Sequence, residues 1–357
     1  MFEQLGFESL SPLTASAIFG ILLGLVFGVA AQRSRFCLRR ALADPDVDAR
    51  SSALAVWLSA LGIAIAGTQL SVYLGWIDFS GHRFHDAAIP VISIVLGGLM
   101  FGMGMILTRG CASRLTVLAG SGNLRALFVL VVFAVTAHAT LKGILAPVRT
   151  FVSDFTLQVG AVLNIVSSPP SALITSAAAA AFVIALFVRR PRIRGQMIGG
   201  VVIGLLVAAG WVGTGLVLQD DFDPIAFQSL SFTSSSTEWL FWGIASTSIG
   251  AGFGVGLFSG VLLGSAVSSL THSDFTWESF ESPAQTGRYL VGAVVMGAGG
   301  VLAGGCTVGA GLSGISSLSV SALLALASIV IGGILTNAVL ARNYKVPKGA
   351  SLEALAP

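Results

Sequence analysis

From Ala172 to Val188 the chain runs seventeen residues without a charged side chain, and comparable apolar stretches recur along its length. The hydrocarbon core of a bilayer is about 30 Å thick and is crossed by about 20 apolar residues in helix. Backbone groups inside lipid must be satisfied internally, so helices are the expected spanning element. A β-barrel would show short alternating segments, and Ala172–Val188 does not alternate. Composition agrees: 55% of the residues are hydrophobic and only 10% charged, against about 25% charged in an ordinary soluble domain. A chain of this size cannot cover a soluble surface with so few charges. The sequence therefore specifies an all-α integral membrane protein, with residues 1–357 forming a single transmembrane domain.

Hydropathy places the apolar segments at 13–31, 52–76, 90–120, 125–146, 171–188, 197–218, 239–270, 288–314 and 319–341. Nine is odd, so the termini are expected on opposite faces. With the N-terminus outside and the C-terminus inside, sixteen of the nineteen Lys and Arg residues fall on the cytoplasmic side, including Arg33, Arg35, Arg39, Arg40 and Arg50. Arg189, Arg190, Arg192 and Arg194 lie there too, while the acidic loop Asp220–Asp223 and the connection with His82 and His85 face outward. This asymmetry follows the positive-inside rule and points to a bacterial plasma (inner) membrane. The first residues include Glu3 and Glu8 and no basic stretch, so a cleavable signal peptide is not expected.

Segments 90–120, 239–270 and 288–314 are too long for simple spans and carry central glycines. Broken or re-entrant helices are expected there, with the exposed backbone facing protein or water. Gly97–Cys111 aligns with Gly292–Cys306 at a constant offset of 195, with six of fifteen positions identical. Under the orientation above the two copies cross in opposite directions. That is an inverted pseudo-twofold repeat, whose binding sites lie near the midplane where discontinuous helices meet. The halves are 1–170 and 171–342, followed by a short cytoplasmic tail at 343–357.

The repeat puts Gly110-Cys111 and Gly304-Gly305-Cys306 at equivalent breaks. Glycine adopts backbone conformations closed to other residues, and the helix N-terminus that follows such a break favours an anion. A thiol is a weak donor and a soft, polarisable group, suited to a sulfur-bearing substrate. Neutral thiols are expected to donate hydrogen bonds to such an anion. A single buried Cys is often a small hydrophobe and a single Gly often only packs helices; matching registers in a chain with three cysteines favour the functional reading.

Cys37 lies in Gln32-Arg-Ser-Arg-Phe-Cys-Leu-Arg-Arg40, at the inner end of the first segment. It belongs either to an anchoring basic collar or to an exit point where a thiol and Arg35 meet a leaving anion. Arg109 and Arg114 bracket Cys111 and read first as positive-inside residues, with an anion-attracting lining as the alternative. His82 and His85, with Asp86, read as a solvated loop, His138 as a packed polar residue, and His272 as part of a polar connection. No metal site, cofactor site, Walker motif, GxSxG motif or tract long enough for nucleic acid is present. The cysteines, odd in number and far apart, read as free thiols.

Gly24–Cys37, followed by two Gly–Cys segments, resembles the YeeE/YedE family of sulfur-transport membrane proteins from about residue 14 to 342. The resemblance implies an hourglass-shaped, non-enzymatic permease for thiosulfate or a related anion, handed along S–H groups at Cys306, Cys111 and Cys37. It also implies that a small TusA-like sulfurtransferase can receive the ion on the cytoplasmic side, as a separate protein. One departure stands out: Thr108-Arg-Gly-Cys-Ala-Ser-Arg114 replaces the more usual Ala-Gly-Gly-Cys-Ala-Thr-Gly. The two arginines leave open a more highly charged anion or another sulfur or selenium compound. The alternative class is a membrane-embedded thiol sulfurtransferase that forms a Cys persulfide, although no adjacent base is evident. A structural subunit whose Gly–Cys motifs only pack helices is the third reading.

Overall fold

A computed structural model describes residues 11–158, 169–220 and 223–343. Glu3, Glu8, Asp221, Phe222 and all of the predicted tail except Asn343 lie outside those residues. The helices are α1 (Pro12–Ser34), α2 (Leu38–Ala43), α3 (Val47–Tyr73), α4 (Val91–Leu107), α5 (Ala112–Gly120), α6 (Leu124–Lys142) and α7 (Ala146–Ser153). They continue as α8 (Pro169–Arg189), α9 (Arg194–Val212), α10 (Phe232–Ala245), α11 (Phe253–Thr271), α12 (Pro283–Leu302) and α13 (Val320–Asn343). Among the described residues, the strands are Ala88–Ile89 and Leu157–Gln158, paired antiparallel.

Among the described residues, eight helical stretches are long and apolar enough to cross a membrane. The eighth predicted segment, 288–314, is helical as α12, but it is not among those eight; Gln285, Thr286 and Arg288 occupy the first turns of that helix. The three overlong segments are broken where glycines interrupt them. The first breaks between Leu107 and Ala112, and the last between Leu302 and a π-turn at Gly309–Gly314. The seventh starts earlier than its hydropathy suggests, at Phe232, because the serines and threonines of the first turns of α10 lower the apolar signal. Its break falls at 246–252. A further break separates α1 from α2 at Arg35–Cys37.

Ser11, Asp46, Asn123 and Ser282 cap the starts of α1, α3, α6 and α12 by accepting backbone N–H bonds, which satisfies donors that helix geometry leaves free. The outer faces are apolar: Leu22 and Val26 on α1, and Ile174, Ile184 and Val188 on α8, are exposed. An apolar surface this extensive belongs in lipid, and the protein is a multi-pass membrane protein.

Packing follows a paired scheme. Helix α1 lies along α11, and α9 lies along α3; α4 packs on α13, and α6 packs on α12; α4 and α12 meet each other. Gly97 abuts Ala303 while Gly104 abuts Gly292 and Met296, so α4 and α12 run antiparallel. The α1–α11 contact is backbone against backbone. A Cβ on Gly20, Gly24 or Gly28 would strike the carbonyl of Phe253, Leu257 or Val261, and one on Gly256, Gly260 or Gly264 would strike that of Ala17, Ile21 or Leu25. In lipid, where apolar side chains gain little from meeting each other, such close approach supplies the dispersion that holds helices together.

The connection from α3 to α4 is not a solvated loop but folds back onto the helices. His82 packs against Phe79, Trp211 and Phe227, and the Phe84 carbonyl accepts from the Ser319 hydroxyl at 2.7 Å. Burial, aided by neighbouring Arg83, pushes the His82 imidazole down to about 4, and burial lowers that of His85 as well.

Gly256→Ala should force α1 and α11 apart and cost about 1–3 kcal/mol, the usual range for overpacking. Gly287→Ala, with open space around it, should leave the protein as stable or slightly more so. Thermal unfolding midpoints in detergent separate the two, and equal midpoints contradict the seam. An unfolded His82 takes up a proton near pH 6.5 that the packed ring refuses until about 4. Stability should therefore fall as pH drops through that window. His82→Gln should flatten the fall, and an unchanged pH profile would contradict the packing of this ring.

Candidate functional site

Both Gly–Cys turns are built alike. Helix α4 ends with the Thr108 hydroxyl donating to the carbonyls of Gly104 at 2.8 Å and Gly110 at 3.0 Å. Arg109 then takes a left-handed conformation, φ 58°, and Cys111 becomes the N-cap of α5, its carbonyl accepting from Leu115 N–H at 2.9 Å. In the second copy Gly304, the counterpart of Arg109, is also left-handed at φ 76°. Cys306 follows it just ahead of the π-turn, its carbonyl accepting from Ala310 N–H at 2.8 Å. The chain reverses out of a helix most cheaply through glycine in this conformation, so Arg109 stands where glycine is preferred.

All three cysteines are buried and free. Cys306 Sγ accepts two backbone N–H bonds, from Gly309 at 3.3 Å and from Phe232 at 3.4 Å. Phe232 is the first residue of α10, so this sulfur sits where the starts of two helical segments converge. Two accepted bonds leave its S–H proton to be donated elsewhere. Cys111 Sγ lies 3.3 Å from the Ser113 hydroxyl, and both the Cys37 thiol and the Thr307 hydroxyl interact with it. Cys306 and Cys111 also lie within electrostatic range of each other. The structure thus brings the three predicted thiols into one buried region, with Cys111 in contact with Cys37 and close to Cys306. Phe27 packs on Phe36, which precedes Cys37, and on Phe232, so the elements bearing Cys37 and Cys306 share one aromatic core.

The predicted arginines separate. Arg114 is half-buried, and its buried Nη1 has no hydrogen-bond partner; it lies within electrostatic range of both Cys37 and Cys111. Arg109 is half-buried in the turn itself, and Arg35 is exposed beside Cys37 with φ 51°. Gly110 packs against Leu115 and Gly305 against Ala310, the equivalent position. No cluster of three or more His, Cys, Asp or Glu suited to a metal occurs among the described residues.

Two features escaped the sequence reading. Gln32-x-x-x-Phe36-Cys37 has a counterpart in Gln228-x-x-x-Phe232-Thr233, at an offset of 196. The stretch is short and polar, and it falls outside the glycine-rich alignment. It makes Thr233 the equivalent of Cys37. The other is Arg83, which lines cavities of about 440, 210 and 80 Å³ on the side of Cys306 where Gly304, Ser231 and Ser234 lie. The signal was present as one of the few basic residues predicted outside; the others, Lys142 and Arg149, also line cavities.

Over residues 33–335 the sequence matches the Sulphur transport family. It is 30% identical over 138 residues to the thiosulfate transporter TsuA of Spirochaeta thermophila, covering 38% of this chain and 40% of that protein. To the thiosulfate transporter TsuA of Escherichia coli it is 28% identical over 103 residues, covering 29% and 28%. The chain thus spans less than half the length of the curated relatives it matches. Those segments are short, but the family match runs through all three cysteine-bearing turns. On that extent, this chain belongs to the Sulphur transport (YeeE/YedE) family.

Proposed function

We propose that this protein is a bacterial plasma-membrane permease that imports thiosulfate or a closely related sulfur anion. The observation that carries the reading is the gathering of Cys306, Cys111 and Cys37 into one buried region at the starts of helical segments. Helix N-termini attract anions. Thiols add soft donors that match a terminal sulfur, and neutral thiols do not repel negative charge. The ion is passed from Cys306 to Cys111 and then to Cys37, from which it leaves past Arg35, with Arg109 and Arg114 lowering the cost of its charge along the way.

The two halves act as an inverted repeat, which the antiparallel α4–α12 contact and the matching turns support. Two funnels closed by these turns give an hourglass, with Cys306 on the outer side and Cys37 on the inner. Sixteen basic residues on the Cys37 side support an outside N-terminus and an inside C-terminus. A separate TusA-like sulfurtransferase would receive the ion there.

Cys306→Ala and Cys111→Ala should each lower uptake of labelled thiosulfate into cells or vesicles at least tenfold while insertion is preserved. The Ser variants should retain part of it, because a hydroxyl still donates a hydrogen bond. Normal uptake in both Ala variants contradicts the relay. Inactive Ser variants together with a trapped persulfide on Cys111 would instead favour the sulfurtransferase reading.

A further inference from the structure

Thr233 carries a buried hydroxyl with no hydrogen-bond partner, and the residue is only 7% exposed. A hydroxyl left unpaired in a dry site is costly, which calls for an acceptor or donor that the protein itself does not supply. It lines the cavity of about 80 Å³ together with Arg83, Ser231, Ser234, Thr237, Gly304 and Gly305. The next residue after that wall is Cys306. A water takes about 30 Å³ in the liquid, so the space suits a small polyatomic ion.

The groups around this cavity are donors. Arg83 sits over the Phe84 ring at 5.0 Å, and among the described residues it forms no ion pair. Ser231 is the N-cap of α10 but makes no side-chain cap bond, so its hydroxyl and the first-turn N–H groups beyond Phe232 remain for another acceptor. The carboxylate of Glu238, one turn further along α10, lines the neighbouring cavity of about 520 Å³ with Lys142 instead. One cation, several hydroxyls and a helix N-terminus, with no carboxylate among the lining residues, recognise a tetrahedral oxoanion.

We propose that Arg83, Ser231, Thr233 and Ser234 form an outer oxoanion site that grips the charged oxygen end of the substrate beside Cys306. The thiol then meets the remaining, softer corner of the ion. Thr233 occupies the position that Cys37 holds in the other half, so the two ends of the path differ in kind: a hard, oxygen-binding entrance and a soft, sulfur-binding exit. This inference rests on the permease reading for its direction, but not for the existence of the site.

The test uses the full chain in lipid nanodiscs with sulfate and thiosulfate as probes, each compared with chloride at equal ionic strength. Both oxoanions should raise the thermal midpoint of the unmodified protein. The rise should vanish in Arg83→Gln and Thr233→Val, and Arg83→Lys should keep part of it. In vesicles, Arg83→Gln and Thr233→Val should raise the KM for thiosulfate roughly tenfold with the maximal rate retained, the range expected for hydrogen bonds to a charged group. Cys306→Ala should lower the maximal rate instead. Unchanged midpoint shifts and KM in both variants overturn the site, even where uptake proceeds. Oxoanion stabilisation that depends on Arg83 and Thr233, without thiosulfate uptake by the unmodified protein, keeps the site and removes the permease reading.

Discussion

A backbone N–H without an acceptor at membrane depth costs several kcal/mol, and this fold breaks its helices where that cost is highest. The starts of α5, α10 and the π-turn at Gly309–Gly314 all lie inside the helical bundle. Some of the freed donors are taken by sulfur: Cys306 Sγ accepts from both Phe232 and Gly309. Breaks of this kind are tolerated only against protein or a polar cavity, and both are present. The rest of the structure serves to hold them there. The glycine seams bring α1 onto α11 and α4 onto α12 so closely that the turns carrying the thiols share one core.

Sulfur is a weak acceptor, and that weakness is useful. A carboxylate in the same place would bind the N–H groups more tightly and repel an anion, whereas a hydroxyl would prefer oxygen. In the proposed relay, the S–H left over at Cys306 is offered to an ion held by Arg83, Ser231 and Thr233, which line the adjoining cavity, and Cys111, Thr307 and Cys37 form the next group. Arg114, with an unpartnered buried nitrogen near the two inner thiols, supplies a charge that glycine does not. Its counterpart in the second half is Gly309, so the Cys111 turn carries a charge that the Cys306 turn lacks.

Much of this was legible in the chain. Length and hydropathy revealed the spans, and central glycines marked the breaks at Gly110 and Gly305. The register of Cys111 against Cys306 pointed to equivalent turns, and the structure builds the two with the same left-handed residue at Arg109 and Gly304. What was not legible depended on tertiary contact. The α1–α2 break at Cys37 carries no glycine, and Arg35 adopts the left-handed conformation instead. The serines and threonines of α10 hid the start of a membrane helix, and with it the equivalence of Thr233 and Cys37. The His82–His85 loop looked solvated by composition; only the ring of Phe79, Trp211 and Phe227 shows that it is packed.

The central claim is that a sulfur anion is held by thiols at the junction of the two halves. A high-resolution structure of the protein with thiosulfate tests it most directly. The account predicts an ordered ion beside Cys306 or between it and Cys111, its terminal sulfur within hydrogen-bond distance of a thiol and its oxygens toward Arg83 and Thr233. An ordered thiosulfate bound away from all three cysteines, with their surroundings unchanged, would contradict it.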